Sequence, residues 1–342
     1  MGFIEKHFFK NELSLKRYRR FKRDKIAVFS VWAFAALLMV SFTAEWWANS
    51  KPHILYYHGQ IYFPLVKTYY PSVFGIKDSY VMDYRALKMG PKDWAVWPLI
   101  QWNPYESNQT LDSYPAPPSR YNLFGTDDSG RDVLTRLIYG LRYTLTFAIG
   151  AWILMYIIGC FVGANMGYWG GKIDLVGMRV VEILQNMPSL FVTITLISIF
   201  TPGLALLIFI AVIFGWTTIC MYMRGQFLQL RKREYVEAAR ALGASNHRII
   251  LKHILPNALT PIITFAPFTI AANVYYLSVM DYLGLGLVPP TPSWGELMSQ
   301  AEKYFNIAEW LVWSSLGAMV ITLTLLINIG LAIRDAYDSK AA

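Results

Sequence analysis

Apolar residues collect along this chain in runs too long for the core of a soluble domain. Six windows, 26–47, 144–166, 178–200, 204–223, 258–280 and 310–333, are dominated by them. A helix needs about 20 mostly apolar residues to cross a bilayer, so each window is read as a spanning helix. The third contains Pro188 and the fifth Pro261 and Pro267, which spanning helices tolerate when neighbours satisfy the freed carbonyl. The first window is expected to remain as a span. It is too long for the apolar stretch of a leader, and no small-residue cleavage site follows it. Glu45-Trp46-Trp47 places aromatics where headgroups would lie.

The polar positions between the runs give the orientation. Nine basic residues precede the first span: Lys6, Lys10, Lys16, Arg17, Arg19, Arg20, Lys22, Arg23 and Lys25. Arg224, Arg231, Lys232, Arg233, Arg240, Arg248 and Lys252 follow the fourth. Basic residues stay on the cytoplasmic side, and counting spans agrees, which predicts that both termini are cytoplasmic. The loop after the fifth span holds Asp281, Glu296, Glu302 and Glu309 against Lys303, which suits the outer face. Residues 48–143 carry ten Lys or Arg and would also lie outside, because long loops translocate largely regardless of charge.

Composition supports this organisation. Hydrophobic residues make up 55% and charged residues 15%, with mean hydropathy +0.34. Ordinary globular chains hold about 25% charged residues, and the spans themselves rule out a soluble enzyme. The net charge of +9 is accounted for by topology and by contact with anionic lipid, and nucleic-acid binding is not expected. Cys160 and Cys220 lie in apolar windows and are read as small packing residues with no disulfide, redox or metal role.

Two segments outside the spans carry detail. The stretch 48–120 is rich in Tyr, Trp and Pro, as in Tyr69-Tyr70-Pro71 and Trp102-Asn103-Pro104. It is too aromatic for a disordered linker and reads as a small, irregular extracytoplasmic insertion, either a lid on the outer rim or a docking surface for a soluble partner. Before span two, Ser129 with Asp132 fits a capping box. Val133, Leu134, Leu137, Ile138 and Leu141 then share one arc of a helix, opposite Arg131, Asp132, Arg136 and Arg142. This predicts a membrane-surface helix or a lid on the bundle, with the aspartates capping and ion-pairing rather than acting in catalysis.

Residues 224–257 are the most informative. Helix formers from Arg233 through Leu242 end at Gly243, a natural residue beyond a helix end. Ser245 can cap a second helix, and Pro256 is expected to stop it before span five. Ala238, Ala239 and Gly243 would let another surface approach closely, flanked by the charges of Glu237 and Arg240. Such a unit suits mechanical docking; the alternative is a helical connector and nothing more.

Glu237-Ala238-Ala239, then Gly243, then Leu255-Pro256 resembles the EAA loop of permease subunits of bacterial ABC importers. His253, where that family usually has an aliphatic residue, resembles the dipeptide/oligopeptide branch. So do Leu123 through Leu134, the loop from Tyr282 to Gly295, and the count of six spans. The resemblance covers 1–47 and 121–338; the enlarged outer segment departs from the commonest oligopeptide permeases and is similar to the YejE-type subfamily. What the resemblance implies is an all-α integral membrane protein of the bacterial inner membrane, a type I ABC importer transmembrane domain with six transmembrane helices and an extracytoplasmic insertion between the first two. Its divisions would be a basic segment 1–25, the span 26–47, the insertion 48–120 and a core 121–338 containing the coupling loop 224–257. It would take up peptides or peptide-like compounds.

The partners implied are a second, different permease, a cytoplasmic ABC ATPase of one fused or two chains, a periplasmic peptide-binding protein and membrane lipid. ATP and Mg would be bound by the ATPase, because this chain has no Gly-x-x-x-x-Gly-Lys-Ser/Thr pattern; no catalytic or metal-ligating set is expected in it. The implied coupling residues are Glu237, Ala238, Ala239, Arg240, Gly243, Leu255 and Pro256. Movement of the coupling helices with the ATPase would tilt stiff spans and switch access between faces. Charge is nearly absent from spans three to six apart from Glu182, and Arg179 beside it at the same end of span three, which argues against a proton-coupled carrier. Asn186, Met187, Asn273, Tyr276 and Asn328 are candidates for the path, with amide bonding across helices as the competing role. Two other functions compete: a secondary transporter, which would need midplane ionisable groups or repeated half-units, and a scaffold or receptor, in which Glu237 and Gly243 would tolerate change.

Overall fold

The computed structural model describes residues 12–76 and 80–337. Lys6 and Lys10 of the basic segment, Lys77 of the insertion and Asp338 at the end of the core lie outside the described residues. Helix α1 (Glu12–Arg23) leads to α2 (Lys25–Phe42), whose N-cap Asp24 accepts from the amides of Ile26 at 2.9 Å and Ala27 at 3.1 Å. A single turn, α3 (Ala44–Trp47), ends that span. The core comprises α4 (Val133–Trp169), α5 (Gly171–Asn186), α6 (Ser189–Ile199), α7 (Leu204–Leu230), α8 (Glu234–Ala241), α9 (Asn246–Arg248), α10 (Leu255–Tyr282), α11 (Trp294–Lys303) and α12 (Glu309–Tyr337).

Five helical stretches are long and apolar enough to cross a membrane, and a bent pair completes six. That pair is the third expected span. Instead of one helix with a proline in it, α5 and α6 meet at 78°. A proline disfavours the helical conformation at the residue before it, and Met187 stands at ψ 130° ahead of Pro188.

The lead-in to span two is not a separate surface helix. It is the beginning of α4, whose 37 residues rise about 55 Å at about 1.5 Å each, well beyond the about 30 Å of a hydrocarbon core. The cap is Asp132, which accepts from the Thr135 amide at 2.8 Å. Ser129 does not cap. It lies in the tight turn Asp127–Gly130, closed by the Gly130 amide on the Asp127 carbonyl at 3.0 Å, and the chain needs two more residues to reach the helix. Burial raises the carboxyl pKa of Asp132 above its ordinary value, against the opposing bonds from Thr135 and Asn122.

Helix α4 packs on α7 along a ladder of glycines. A Cβ at Gly159 would lie 2.7 Å from the Trp216 carbonyl oxygen, and one at Gly167 would lie 2.6 Å from that of Arg224; at Gly163 it would run into the Cys220 carbonyl. Lipid tails are as apolar as leucine, so helices associate in a bilayer by close van der Waals packing, and small residues four apart permit it. Phe227, Met223 and Cys220 of α7 are fully buried against this face.

At the end of the bundle away from residues 224–257, charged groups form a knot. Arg136 is fully buried, and its guanidinium meets Asp127 at 3.2 Å and Glu296 of α11. Its Nη1 also donates to the carbonyls of Pro104 at 3.1 Å and Pro290 at 3.2 Å. Arg131 spans the same two carboxylates at 2.7 and 3.0 Å. Burial opposes the charge on Arg131, but Asp127 and Glu296 outweigh it and hold its pKa above the ordinary value. On the polar arc of the lead-in, Arg131 and Arg136 are interior and ion-paired, and Asp132 caps the helix.

The insertion contains a sheet as well as irregular chain. Strands β1 (Ile54–Tyr57), β2 (Gln60–Tyr62) and β3 (Trp94–Val96) are antiparallel in the order β2-β1-β3, with Leu55 opposite Tyr62 and Ala95. His58 and Gly59, at φ 49° and 83°, make the two-residue turn whose twist suits a hairpin. One sheet face covers Phe74, whose ring lies 5.0–6.2 Å from those of Tyr57, Tyr62, Tyr69 and Tyr84. The insertion is fastened to the first span by the Asn49 amide on the Ile100 carbonyl at 3.0 Å and the Ile100 amide on the Trp47 carbonyl at 2.9 Å. Arg142 of α4 ties the same end of the first span to the core by a two-pronged pair with Glu45, both contacts at 2.7 Å.

Two substitutions test the ladder. Gly163→Leu should prise α4 from α7, at about 1–3 kcal/mol for an overpacked contact, and lower the midpoint of thermal unfolding in detergent. Gly225→Ala on the same α7, where an added Cβ meets nothing within 4 Å, should leave that midpoint no lower, since Ala favours a helix interior over Gly.

Candidate coupling loop and transport cavity

The loop begins where α7 ends. Arg231, its C-cap, turns back so that Nη1 donates to the carbonyls of Gly167 and Tyr168, both at 3.0 Å. These are among the carbonyls that the end of α4 leaves without helical partners. Helix α8 follows and stops in a Schellman turn: the Gly243 amide donates to the Arg240 carbonyl and the Ala244 amide to the Ala239 carbonyl, both at 3.0 Å. That turn needs a left-handed residue beyond the helix, and Gly243 stands at φ +80°. Ser245 caps α9 as expected, accepting from the Arg248 amide.

Pro256 does not end this second helix. Residues 246–282 run on as one helical stretch. Ile249–Ile254 form a π-helical turn, and the Leu255 amide donates five residues back to Ile250. Pro256 then falls in the first turn of α10, directly after the π segment, where the regular i→i−4 ladder is already interrupted. Leu255 is half-buried and Pro256 exposed just beyond the π turn.

Helical register divides the proposed contact set. Val236 and Ala239, three apart, face inward; Val236, Ile249 and Ile254 are fully buried on Phe227, Met223 and Tyr168. Glu237, Ala238, Arg240 and Gly243 lie on the exposed side. Ala239 is therefore a packing residue and not part of the outer contact surface, contrary to the expectation from its neighbours. A Cβ at Gly243 would meet nothing within 4 Å. Beside it Leu242 is 88% exposed. The sequence reading missed Leu242, although an apolar residue between a helix and its terminal glycine was the signal available.

A cavity of about 510 Å³ opens between α4, α6, α7 and α10. Its wall includes Met155, Phe214, Tyr222, Phe265, Asn273 and Tyr276. Tyr222 stacks on Phe265 at 5.0 Å and 28°, and Tyr276 on Phe147 at 6.1 Å and 11°. Of the candidates read from the sequence, Asn273 and Tyr276 are brought together here. Asn273 is buried, and its amide nitrogen donates to the Ala148 carbonyl at 3.0 Å, so it ties α10 to α4 while bordering the cavity. Asn186 and Met187 are exposed at the α5–α6 break, where the Asn186 amide bonds its own helix at Glu182, 2.7 Å away. The next helix-forming residue, Ser189, lines the cavity. Asn328 is half-buried on α12 and not among the lining residues. No lining residue carries an Asp, Glu, Lys, Arg or His side chain. Such a wall can guide a solute but offers it no strong ionic trap, as passage requires.

Comparisons with known proteins bear on this arrangement. The family described as binding-protein-dependent transport system inner membrane component matches residues 155–340. The inner membrane ABC transporter permease protein YejE of Escherichia coli (strain K12) is 38% identical over 331 residues, covering 95% of this chain and 97% of that one. The peptidoglycan transport system permease protein YejE of Agrobacterium fabrum is 34% identical over 357 residues, with 95% and 92% covered. The oligopeptide transport system permease protein OppC of Bacillus subtilis (strain 168) is 34% identical over 243 residues, with 71% and 79% covered.

The turn at Gly243 makes its own test. Gly243→Val places a β-branched residue at positive φ and should loosen the loop by about 1–2 kcal/mol, seen as faster tryptic cleavage at Arg240. Gly243→Asn, which tolerates the left-handed region, should be cut nearly as slowly as the parent.

Proposed function

We propose, for a chain that belongs to the family of binding-protein-dependent transport system inner membrane components, that it forms half of the path by which an ABC importer takes up peptides or peptide-like compounds. It is a multi-pass inner-membrane permease and not an enzyme; ATP hydrolysis belongs to a separate ATPase. The Agrobacterium relative is named for peptidoglycan transport and the Bacillus relative for oligopeptide transport, and the substrate class proposed here takes in both. The observation that carries the coupling role is the rigid, glycine-closed loop, which presents Glu237, Ala238, Arg240 and Leu242 on an exposed face of a chain without a nucleotide-binding pattern.

On this reading the loop and both termini are cytoplasmic, by the distribution of Lys and Arg, and the insertion is periplasmic. Glu237 and Arg240 give directed ion pairs to the ATPase, Ala238 and Gly243 allow close approach, and Leu242 enters an apolar recess on it. Ala239, Leu255 and Pro256 hold the loop in shape. A second, different permease supplies the other wall of the path, and Asn273 and Tyr276 belong to this wall. Asn186 and Met187, at the α5–α6 break, face the path at its rim. The ATPase, as one fused or two chains, holds ATP and Mg. A periplasmic binding protein selects the peptide, and the insertion either caps the rim or receives that protein. The uncharged cavity suits a solute passed on by such a protein better than one captured by the permease itself.

Purification of the tagged chain in mild detergent, with mass spectrometry of bound chains and an ATPase assay, checks this reading. A second permease and an ATPase should accompany it. Glu237→Lys and Leu242→Asp should each lower the retained ATPase at least fivefold while leaving the amount of inserted chain unchanged, since both residues are surface positions. A chain that purifies alone and transports unaided would overturn the coupling role.

A further inference from the structure

The structure joins the loop to one pair of helices far more firmly than to the rest of the bundle. Arg231, at the loop's beginning, holds the last carbonyls of α4. In the middle of the loop Asn246 accepts, at 2.6 Å, from the hydroxyl of Tyr168, which belongs to the last turn of α4. Tyr168 is itself buried, among Met223 and Phe227 of α7 and Val236, Ile249 and Ile254 of the loop. These two polar ties reach α4, although the loop is covalently attached to α7 and α10; a longer one, from Asn257 Nδ2 to the Tyr235 hydroxyl at 3.4 Å, joins α10 to α8. The glycine ladder then binds α4 to α7 with backbone almost in contact.

The bent pair is held differently. Its polar tie to α7 is the Asp174–Arg224 pair, with Nη2 at 2.7 Å. Val181 is the buried position of α5 and Thr193 that of α6. Interfaces and packed cores switch between discrete arrangements and do not deform continuously. The helices engaged by the loop's packing and by its bonds from Tyr168 and Arg231 are thus α4 and α7, while α5 and α6 are separated by the 78° break.

We propose that Tyr168 and Arg231 are positioning residues of the transport cycle, which lock the coupling loop to the α4–α7 pair so that the loop and this pair move as one body, while α6 moves relative to them. The proposal rests on the transport reading for its consequence in uptake, but its mechanical part can be observed in the assembled complex without uptake.

Two measurements test it on the full complex of both permeases, ATPase and binding protein in lipid vesicles. The first compares peptide uptake per ATP hydrolysed. Tyr168→Phe keeps the ring in its packing and removes the hydroxyl; combined with Arg231→Ala it should lower uptake per ATP at least fivefold, with complex yield and ATPase rate within twofold of the parent. Arg231→Lys, which restores one donor, should recover part of the ratio. Uptake and hydrolysis falling together in proportion to complex yield would mark a purely structural role and overturn the proposal, as would an unchanged ratio. The second places spin labels, after Cys160 and Cys220 are changed to Ser, at Ala241 with Phe161 of α4, or at Ala241 with Ile199 of α6. A non-hydrolysable ATP analogue should leave the first distance unchanged and shift the second. A shift in the first distance overturns the proposal even if the parent complex shows no peptide uptake; that absence by itself would count against the peptide reading alone.

Discussion

Backbone contact between α4 and α7 is the constraint on which the rest of the molecule depends. In water such a contact would be one of many ways to hide apolar surface. In a bilayer there is no comparable gain from hiding it, so adhesion comes from how closely two helices can approach. Gly159, Gly163 and Gly167 remove the side chains that would hold the helices apart. Once α4 is fixed, its opposite ends organise opposite ends of the protein. The first turns bring Arg136 to Glu296, and the last bring Tyr168 and the terminal carbonyls to the loop. A helix longer than the membrane is thick is what lets one contact serve both.

The parts of this architecture legible in the sequence were those written in length and charge. Six apolar windows, the glycine closing α8 and the serine capping α9 could be read directly. The prolines could not be treated alike. Pro261 and Pro267 lie inside an unbroken α10, which is buried against neighbours on several sides, whereas Pro188 coincides with a 78° break in a pair that buries little. The residue type is the same, and tertiary support decides. Ala238 and Ala239 look equivalent in a string of letters, and the register of α8 on its buried side separates them. The strands of the insertion run only three or four residues, too short for alternation to stand out.

The candidate cavity was the least legible feature. A functional group betrays itself in a sequence when it is out of place, as a charge is in an apolar run. Tyr222, Phe214 and Phe265 are not out of place in a chain with 20 Phe and 22 Tyr. The two candidates that reach the cavity, Asn273 and Tyr276, were noticed because they are polar, and the structure gives Asn273 a bond to Ala148 that would suffice to explain it. A path with no charged group on its wall leaves almost no trace in composition. The loop that would drive it leaves a strong one, because docking requires small, charged and turn-forming residues at fixed offsets.

The ion-pair knot also has a history within the life of each molecule. Asp127, Arg131 and Arg136 are synthesised together, but Glu296 follows about 160 residues later, and at about 5–20 residues per second the ribosome needs several seconds or more to supply it. Until then two arginines share one aspartate. Removing one partner from a buried charge group is costly, so Arg131 and Arg136 are fully paired only once Glu296 is in place. The lead-in to the second span thereby links an early part of the chain to a late one: a subunit ending before Glu296 would hold two guanidiniums on the single carboxylate of Asp127.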